Sequence, residues 1–558
     1  MERSRSKTTI ALFGMAGALL GTTALMPSAA SAAPSPTCAG LAAQLLPEKG
    51  IVSATSVIQA ATSTHKSYCL VNILVSDLAG PKDGYLAGQR QAINIGIGLP
   101  LSASDGGTGG TIGAWNQRIQ DLGGGGYAGS VGSVTGATDT GFVGSSTDTG
   151  HPASAGGTFA LNPDNTLNFG LIDDFAFNGI HEQAIWSKKL AKMYFGKQQK
   201  YTYWNGCSTG GRQGHQQAQK YPTDYDGILA GAPAFNWDRF IPSEQYGEIV
   251  MNQEVGAPIT SAKLNAVTNA AIAACDGIDG ILDGVIQDPR ACKYDATAFV
   301  CKGNASDPAN CLTAAEAGAV NKIWQGPEKG KNQEWFGLNR GASLPGGLDG
   351  TSPFSISTQW FQYWVFQNPS FDWHTFTETS FNDAFKESEL KFHAVIGTDN
   401  TDLTAFRANG GKMITYHGLA DQLIFPNGTY DYYNRVVNQI GGLKQTQKFY
   451  RFFPFAGNSH CGGNTQMPNA VLINSNDMFA ALVNWVENGV APDEIISENN
   501  ATASLATVTR PVCMYPNKLV YDGFGSTSVE SSFACKTETT DPLLETVIPD
   551  AGDPNGTN

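Results

Sequence analysis

The sequence predicts an α/β fold in which a large segment interrupts the sheet-forming part of the chain. Three observations support this prediction. Strand-like runs alternate with amphipathic helical runs, the alternation is lost between about residues 235 and 408, and a glycine-flanked serine lies between a strand-like run and a helical run. A chain of 558 residues is long enough for more than one structural unit, or for one large domain with an insertion.

The first 32 residues are predicted to be a secretory signal peptide. Basic residues precede an apolar stretch from Thr9 to Met26, and Ala30-Ser31-Ala32 is a small-residue cleavage site. The alternative is a membrane anchor, but Gly and Thr interrupt the apolar stretch. No later stretch has the roughly 20 apolar residues of a membrane span. We therefore expect a secreted protein, extracellular or periplasmic, that has no membrane partner.

The overall charge argues against a nucleic-acid partner. The chain has a formal net charge of -14 and no long run of Lys and Arg, whereas phosphate binding needs clustered basic residues. Hydrophobic residues make up 41% of the chain, which is typical of a globular protein. The composition does not indicate which oligomeric state the protein has.

Two separated parts of the chain, residues 33–234 and 409–558, are predicted to form one catalytic domain. The first part has the strand-like runs "YCLVNILVS" and "AINIGIGLP" and then a glycine-rich loop at 122–129. A predicted helix follows at 180–197, and then come the strand "KYTYWNG", the serine turn, a helix ended by Pro222, and the strand "DGILAGAPA".

Residues 235–408 are interpreted as an inserted lid domain. This stretch is rich in Trp, Phe, Asn and Asp and lacks the strand–helix alternation of its flanks. After it the alternation returns with the strand "KMITYHG", the helix "GTYDYYNRVVNQIGG", the strand "KFYRFFPF" and the helix "NDMFAALVNWVENG". The chain beyond Cys513 is expected to be a disulfide-linked tail with a loose end.

Three residues in these parts are candidates for a nucleophile, an acid and a base. Ser208, within Gly-Cys-Ser-Thr-Gly, follows the strand "KYTYW"; Asp421 follows "KMITYHG", and His460 follows "KFYRFFPF". A serine hydroxyl needs a neighbouring base, and the base needs an orienting acid. The chain order Ser, Asp, His after three strands is that of an α/β-hydrolase fold. His417 and His151 are rival bases.

The ten cysteines are expected to form disulfides in an exported protein, although sequence alone does not fix their pairing. Zinc binding is less favoured because no C-x-x-C pair occurs. Cys207 directly precedes Ser208 and Cys461 directly follows His460, so a working serine–histidine pair would bring these two cysteines close. The alternative is two unrelated structural cysteines. The remaining, short-range pairs are Cys38 with Cys69, Cys275 with Cys292, Cys301 with Cys311, and Cys513 with Cys535.

A Cys-Ser, Asp, His-Cys set resembles the tannase and feruloyl esterase family of secreted hydrolases, which includes the bacterial mono(2-hydroxyethyl) terephthalate hydrolase. The motifs "GCSTGGRQG", "YDGILAGAPA", "GGKMITYHGLAD", "GNSHCGG" and "LVNWVENGVAPDEI" also match. The resemblance implies an α/β-hydrolase fold with a large inserted lid. It also implies an oxyanion hole formed by the backbone N–H groups of Thr209 and of Gly126, or of Gly125 if the glycine loop is shifted by one residue.

An acidic stretch in the lid, "CDGIDGILDGVIQDPRAC", is a candidate calcium site. Its three carboxylates lie within one short segment and would repel one another unless protons or a cation intervene, although a solvated acidic loop is the alternative. The spacing is not that of an EF-hand. The resemblance implies a structural Ca²⁺ ion held by Asp276, Asp279, Ile281 O, Asp283 and Val285 O, and no organic cofactor.

The sequence and the resemblance together predict a secreted serine carboxylesterase that acts on small esters of aromatic, phenolic acids. A terephthalate half-ester hydrolase is an alternative, disfavoured because the stretch "NPSFDWHTFTETSFNDAF" has no arginine to hold a free carboxylate. A catalytically inactive binding module and a peptidase on the same fold are further alternatives. The Trp- and Phe-rich stretch of the lid is expected to supply aromatic walls for the acid ring, or otherwise to pack as lid core.

Overall fold

The computed structural model describes residues 36–76, 92–302, 310–330, 332–345, 353–463, 466–502, 504–538 and 541. The predicted signal peptide lies outside these residues. The described residues from Pro36 onward belong to one compact unit.

A nine-stranded sheet lies at the centre of this unit, in the order β1-β2-β3-β5-β4-β6-β7-β10-β11. The strands β1, β2, β3 and β5 pair antiparallel, whereas β5, β4, β6, β7, β10 and β11 pair parallel. In chain order the described strands are β1 (Ile51–Gln59), β2 (Tyr68–Val75), β3 (Ile93–Pro100), β4 (Arg118–Leu122), β5 (Val143–Thr147), β6 (Tyr201–Cys207), β7 (Gly227–Gly231), β8 (Glu328–Lys329), β9 (Asn332–Gln333), β10 (Lys412–Gly418), β11 (Tyr450–Phe455), β12 (Glu494–Glu498), β13 (Thr509–Cys513), β14 (Lys518–Tyr521) and β15 (Phe533–Lys536).

Helices pack against the parallel part of the sheet, and β7 is buried along its whole length as a strand covered on both faces should be. No helix in the described part of the chain is long and apolar enough to cross a membrane. The described α-helices are α1 (Cys38–Leu45), α2 (Thr135–Asp139), α3 (Phe169–Asp173), α4 (Gly179–Phe195), α5 (Thr209–Lys220), α6 (Trp237–Glu254), α7 (Ser261–Cys275), α8 (Ala314–Gln325), α9 (Ser355–Gln359), α10 (Glu378–Ile396), α11 (Thr404–Ala408), α12 (Pro426–Ile440), α13 (Leu443–Thr446) and α14 (Ser475–Asn488).

The inserted segment, residues 235–408, leaves the sheet after β7 and returns before β10, which is the neighbour of β7 in the sheet. It consists mainly of helices, and two of them begin at capping boxes: Thr313 caps α8 and Thr377 caps α10. Its aromatic side chains pack into one cluster that also contains residues from the first part of the chain, such as Tyr127 and Phe159. The segment therefore shares a core with the loops that follow the first sheet strands.

Five disulfides are present in the described residues, and they are the five pairs expected from the sequence. Four close short loops, and one joins the two parts of the chain, 33–234 and 409–558, that are predicted to form one domain. The pairs are Cys38–Cys69, Cys207–Cys461, Cys275–Cys292, Cys301–Cys311 and Cys513–Cys535.

Candidate active site

Ser208 lies at the sharp turn between β6 and α5, with φ 64° and ψ -125°. This conformation is strained for a residue with a side chain, and it occurs mainly at functional sites. Glycine permits the turn, since a Cβ on Gly206 would lie 2.7 Å from the backbone of Gly210. Ser208 N donates to Gly231 O at 3.0 Å, which fixes the turn against β7. The strand–turn–helix context predicted for this serine is therefore present.

Asp421 and His460 lie in the loops after β10 and β11 and contact each other. His460 Nδ1 donates to Asp421 Oδ2 at 2.8 Å. The other carboxylate oxygen, Oδ1, accepts from Leu423 N at 2.8 Å and from Ile424 N at 2.9 Å. With the proton on Nδ1, the second ring nitrogen of His460 is available to accept a proton.

The two side chains shift each other's protonation equilibria. Burial favours the neutral acid, but the charge of His460 and the hydrogen bonds from His417 and His460 outweigh it and hold the pKa of Asp421 well below its usual range. Burial lowers the pKa of His460, but Asp421 outweighs this effect and raises the pKa of the imidazole. The pair therefore combines an ionised acid with a histidine that takes up a proton readily.

His417, one of the two rival bases, bonds the same carboxylate. Its Nε2 lies 3.1 Å from Asp421 Oδ2 and 3.0 Å from Ile424 O, and its Nδ1 lies 2.8 Å from Thr429 Oγ1. The ring is fully buried. Because both nitrogens are engaged and the ring is inaccessible, His417 cannot act as a base towards a substrate.

His151, the other rival, is also buried and holds the glycine-rich loop. Its Nε2 donates to Tyr127 O at 2.7 Å, and its ring stacks on Phe159 with the ring centroids 3.8 Å apart. Burial lowers the pKa of His151 to about 4, so the ring is neutral at neutral pH. Its contacts are those of a structural histidine.

The Cys207–Cys461 disulfide joins the loop of Ser208 to the loop of His460. The two Cα atoms are 5.9 Å apart, and the residues are separated by 254 positions in the sequence. Each half-cystine is the immediate chain neighbour of a candidate catalytic residue. The bridge therefore limits how far the serine and histidine loops can move apart.

The glycine-rich loop meets the start of α5 beside Ser208. Thr209 Oγ1 donates to Gly126 O at 2.5 Å. Gly126 has φ 53°, and a Cβ there would lie 3.2 Å from Ile356 Cδ1 of the inserted segment. Within the described part of the chain, neither Thr209 N nor Gly126 N donates to another protein group. Thr209 and Gly126 thus meet at one junction, and the oxyanion hole stays a prediction.

Tyr127, the next residue along, anchors this loop to the inserted segment. Its hydroxyl donates to Ile356 O at 3.1 Å, and its ring stacks against Trp364 with the centroids 6.2 Å apart. Trp360 and Trp364 are fully buried, so they pack as core and do not line a substrate cavity. For these tryptophans the structure supports the core-packing alternative.

The acidic loop of the inserted segment is held by hydrogen bonds from its own backbone to its carboxylates. Asp276 Oδ1 accepts from Asp283 N at 3.0 Å and Val285 N at 3.2 Å, and Asp279 Oδ1 accepts from Ile281 N at 3.0 Å. Among the described residues no group of three His, Cys, Asp or Glu side chains is arranged to hold a metal ion. The calcium site therefore stays a prediction.

One charged partner of this loop comes from far along the chain and has no signal in the sequence. Arg510 Nη2, on β13, donates to Asp283 Oδ2 at 3.0 Å. Burial and, to a smaller extent, the charge of Asp276 raise the pKa of Asp283, and together they outweigh the lowering effect of Arg510. Burial and the charges of Asp283 and Asp276 likewise raise the pKa of Asp279. Burial and the mutual repulsion of these carboxylates thus oppose their ionisation, which a bound cation would favour.

Comparisons with known proteins agree on one family. The sequence profile described as tannase and feruloyl esterase matches residues 111–536. A probable feruloyl esterase of Arthroderma benhamiae is 34% identical over 482 residues, covering 84% of this chain and 85% of the relative. The crystal structure of an esterase from Aspergillus oryzae has a TM-score of 0.75 at 27% identity, covering 89% and 99% of the two chains. That of feruloyl esterase B from Aspergillus oryzae has a TM-score of 0.72 at 26% identity, covering 87% and 96%.

Proposed function

The chain belongs to the tannase and feruloyl esterase family of carboxylic ester hydrolases, with an α/β-hydrolase fold, and from this premise we propose that it hydrolyses esters of phenolic acids through Ser208, His460 and Asp421. The observation that supports the proposal is the joint geometry of the two loops. His460 is bonded to Asp421 at 2.8 Å, and the Cys207–Cys461 bridge ties the same loop to the strained serine turn.

In the proposed mechanism Ser208 Oγ attacks the ester carbonyl carbon while His460 Nε2 takes the hydroxyl proton. Asp421 keeps the imidazole oriented and stabilises its charge. The carbonyl oxygen becomes negative, and the N–H groups of Thr209 and Gly126 stabilise it, each contributing about 3 kcal/mol. His460 gives the proton to the leaving alcohol, and the acyl group stays on Ser208. Water, deprotonated by His460, then attacks the acyl carbonyl carbon, and the acid is released as the bond to Ser208 Oγ breaks and His460 returns the proton to that oxygen.

Neutral phenolic esters are the favoured substrates of the proposed enzyme. The relatives that match over most of their length are named as feruloyl esterases. A terephthalate half-ester carries a free carboxylate, which calls for a cationic partner, and residues 353–402 contain no arginine. Arg239 of α6 is buried and paired with Glu389 at 3.2 Å, so it is not free for such a substrate.

A hydrolysis panel tests the substrate class. The values of kcat/KM for methyl ferulate and methyl gallate are expected to exceed that for mono(2-hydroxyethyl) terephthalate. The Ser208→Ala variant is expected to lose at least about 10⁴-fold in kcat for all three esters. A serine-reactive phosphonate should label the wild type at Ser208. The control variant Ser133→Ala, which changes an exposed serine, should be labelled to the same extent. An unlabelled, inactive wild type would instead indicate a binding module.

We also propose that the acidic loop binds a structural Ca²⁺ ion through Asp276, Asp279, Ile281 O, Asp283 and Val285 O. The donor chemistry fits, because all five donors are oxygens, which calcium prefers. The side chains of Asp279 and Asp283 line a cavity of about 310 Å³. A bound divalent cation would supply the positive charge that the loop lacks and would hold the segment between the half-cystines of Cys275–Cys292.

Thermal unfolding with and without calcium tests this site. Saturating CaCl₂ is expected to raise Tm relative to EGTA, and the gain grows with the ratio of free calcium to Kd. The Asp279→Asn variant should lose most of this gain, whereas Asp372→Asn, at an exposed aspartate of the same segment, should keep it. Identical Tm values in CaCl₂ and EGTA, with no binding heat in calorimetry, would contradict the proposal.

Secretion into an oxidising compartment is part of the proposed function. Five disulfides persist only where thiols are not kept reduced. Expression with export is expected to give protein without free thiols. A soluble, fully active product with ten free thiols from a reducing cytoplasm would contradict this expectation.

A further inference from the structure

The side chain of His417 lies between the catalytic acid and α12 and contacts both. Its Nε2 is 3.1 Å from Asp421 Oδ2 and 3.0 Å from Ile424 O. Its Nδ1 is 2.8 Å from Thr429 Oγ1, on the first turn of α12. His417 and Asp421 are both fully buried, so bulk water does not compete for these contacts.

The partners of His417 define its tautomer. A carboxylate and a backbone carbonyl are acceptors only, so the Nε2 atom that faces both must carry the proton. The Thr429 hydroxyl then donates its hydrogen to Nδ1, which has a lone pair. In the other tautomer the Nε2 lone pair would face the negative charge of Asp421. The geometry therefore defines a chain of donors that runs from Thr429 through His417 to Asp421.

We propose that His417 is a positioning residue of the esterase, which holds the Asp421 carboxylate ionised and oriented towards His460, and that Thr429, by donating to Nδ1, strengthens the Nε2–H group as a donor. Asp421 accepts four hydrogen bonds: two amides bind Oδ1, and the two histidines share Oδ2. Without His417, Oδ2 would keep only His460. The kinetic part of this inference rests on the proposed function.

Another titratable group also faces Asp421 from a different element. Glu244, on α6 of the inserted segment, is buried and is influenced by the charges of Glu248 and Asp421. Burial and these charges raise the pKa of Glu244 well above its usual range. This shift favours the neutral form of Glu244, which adds no charge beside Asp421.

The role of His417 has a consequence for the pH dependence of the reaction. Its N–H group stabilises the state in which Asp421 is ionised and His460 neutral more than the state in which the pair has bound a proton. Losing this donor therefore raises the apparent pKa of the Asp421–His460 pair, whichever residue holds the proton. The acid limb of kcat/KM then moves to higher pH.

Two substitutions at His417 separate the donor from the rest of the ring. His417→Phe removes the N–H group, and kcat is expected to fall about 10- to 100-fold with little change in KM, while the acid limb moves to higher pH. In His417→Gln an amide N–H replaces Nε2–H, and the acid limb is expected to return towards that of the wild type. If the glutamine variant shows the same displaced limb as the phenylalanine variant, the donor is not the cause and the proposal fails.

The Thr429→Val variant keeps His417, so it tests the positioning role even if His417→Phe does not fold. It removes the donor to Nδ1, and the acid limb is expected to move in the same direction by a smaller amount. Retention of the Cys207–Cys461 bridge and a cooperative thermal transition show that a variant is folded. An acid limb unchanged in a folded Thr429→Val variant would overturn the proposal.

A readout without substrate separates this inference from the proposed function. In ¹⁵N-histidine-labelled Ser208→Ala protein, NMR titration is expected to show His417 protonated on Nε2, and to show the Asp421–His460 pair titrating at higher pH once Thr429→Val is added. If these results appear but the wild type hydrolyses no ester, the proposed function fails and the positioning role stands. If esters are hydrolysed but the two titrations coincide, the positioning role fails alone.

Discussion

Removal of the disulfide between the catalytic loops should affect stability and turnover differently. In the double variant Cys207→Ala/Cys461→Ala a loop with a sequence separation of 254 is no longer closed. On the chain-entropy model the bridge contributes about 5.5 kcal/mol to the free energy of unfolding. The matched control, Cys38→Ala/Cys69→Ala, opens a loop with a separation of 31, for which the same model gives about 3.5 kcal/mol.

The kinetic effect should be confined to the first variant. The Cα atoms of Cys207 and Cys461 are 5.9 Å apart and flank Ser208 and His460, so without the bridge the two loops can drift by about 1 Å, which costs roughly 100-fold in kcat. The assay is methyl ferulate hydrolysis at a temperature below the measured Tm of both variants, with active sites counted by phosphonate titration. Wild-type kcat in the double variant despite a lower Tm would refute the positional role.

Three further predictions concern other features. Burial lowers the pKa of His393, but Asp238 outweighs burial and raises that pKa to about 9. The charged ring therefore contributes its full stabilisation below about pH 6.5, and this contribution is lost as pH rises through 9. In urea unfolding, the free energy of unfolding should fall by up to about 3 kcal/mol by pH 9.5, and His393→Gln should lack this fall. In Gly126→Ala the alanine would have to adopt a positive φ and its Cβ would lie 3.2 Å from a side chain, so kcat should fall about 10- to 100-fold. In the control Gly318→Ala the new Cβ has no atom within 4 Å, and kcat should stay at the wild-type value. Equal kcat values in the two variants would contradict the role of Gly126 as an oxyanion donor. Burial and the charges of Glu248 and Asp421 raise the pKa of Glu244 well above its usual range, which favours the neutral acid, so Glu244→Gln is expected to leave the acid limb of kcat/KM in place. A displaced limb would show that this acid is ionised.

The sheet strands of the catalytic domain and the three candidate residues could be predicted because their signals are local. The predicted strand "KMITYHG" coincides with β10, and the predicted helix at 180–197 coincides with α4 to within two residues. Each candidate residue lies in the loop that follows a strand, and parallel strands bring their carboxyl ends to one edge of the sheet. The chain order therefore predicts that they lie at this edge, and the Asp421–His460 contact and the Cys207–Cys461 bridge are consistent with that prediction.

Other features depend on distances that no local pattern encodes. His417 has the same position after "MITY" whether it is a base, a core residue or a donor to Asp421, and only the three-dimensional contacts distinguish these roles. Arg510 reaches Asp283 across 227 positions of sequence. A run of four glycines has no side chains to mark its register, so the sequence does not distinguish Gly125 from Gly126, and it does not show that Thr209 Oγ1 bonds Gly126 O. Helices of the inserted segment bury aromatics on several faces, which hides the usual periodicity.

Because Tyr127 anchors the glycine-rich loop to the inserted segment, a chimaera of two relatives should take the loop and the segment from the same parent. A chimaera that takes residues 235–408 from a relative but keeps its own residue 127 would mismatch the contacts at Ile356 and Trp364. These mismatched contacts would lower kcat for every ester tested and would not change the preference among esters. Swapping the loop together with the segment should avoid that penalty.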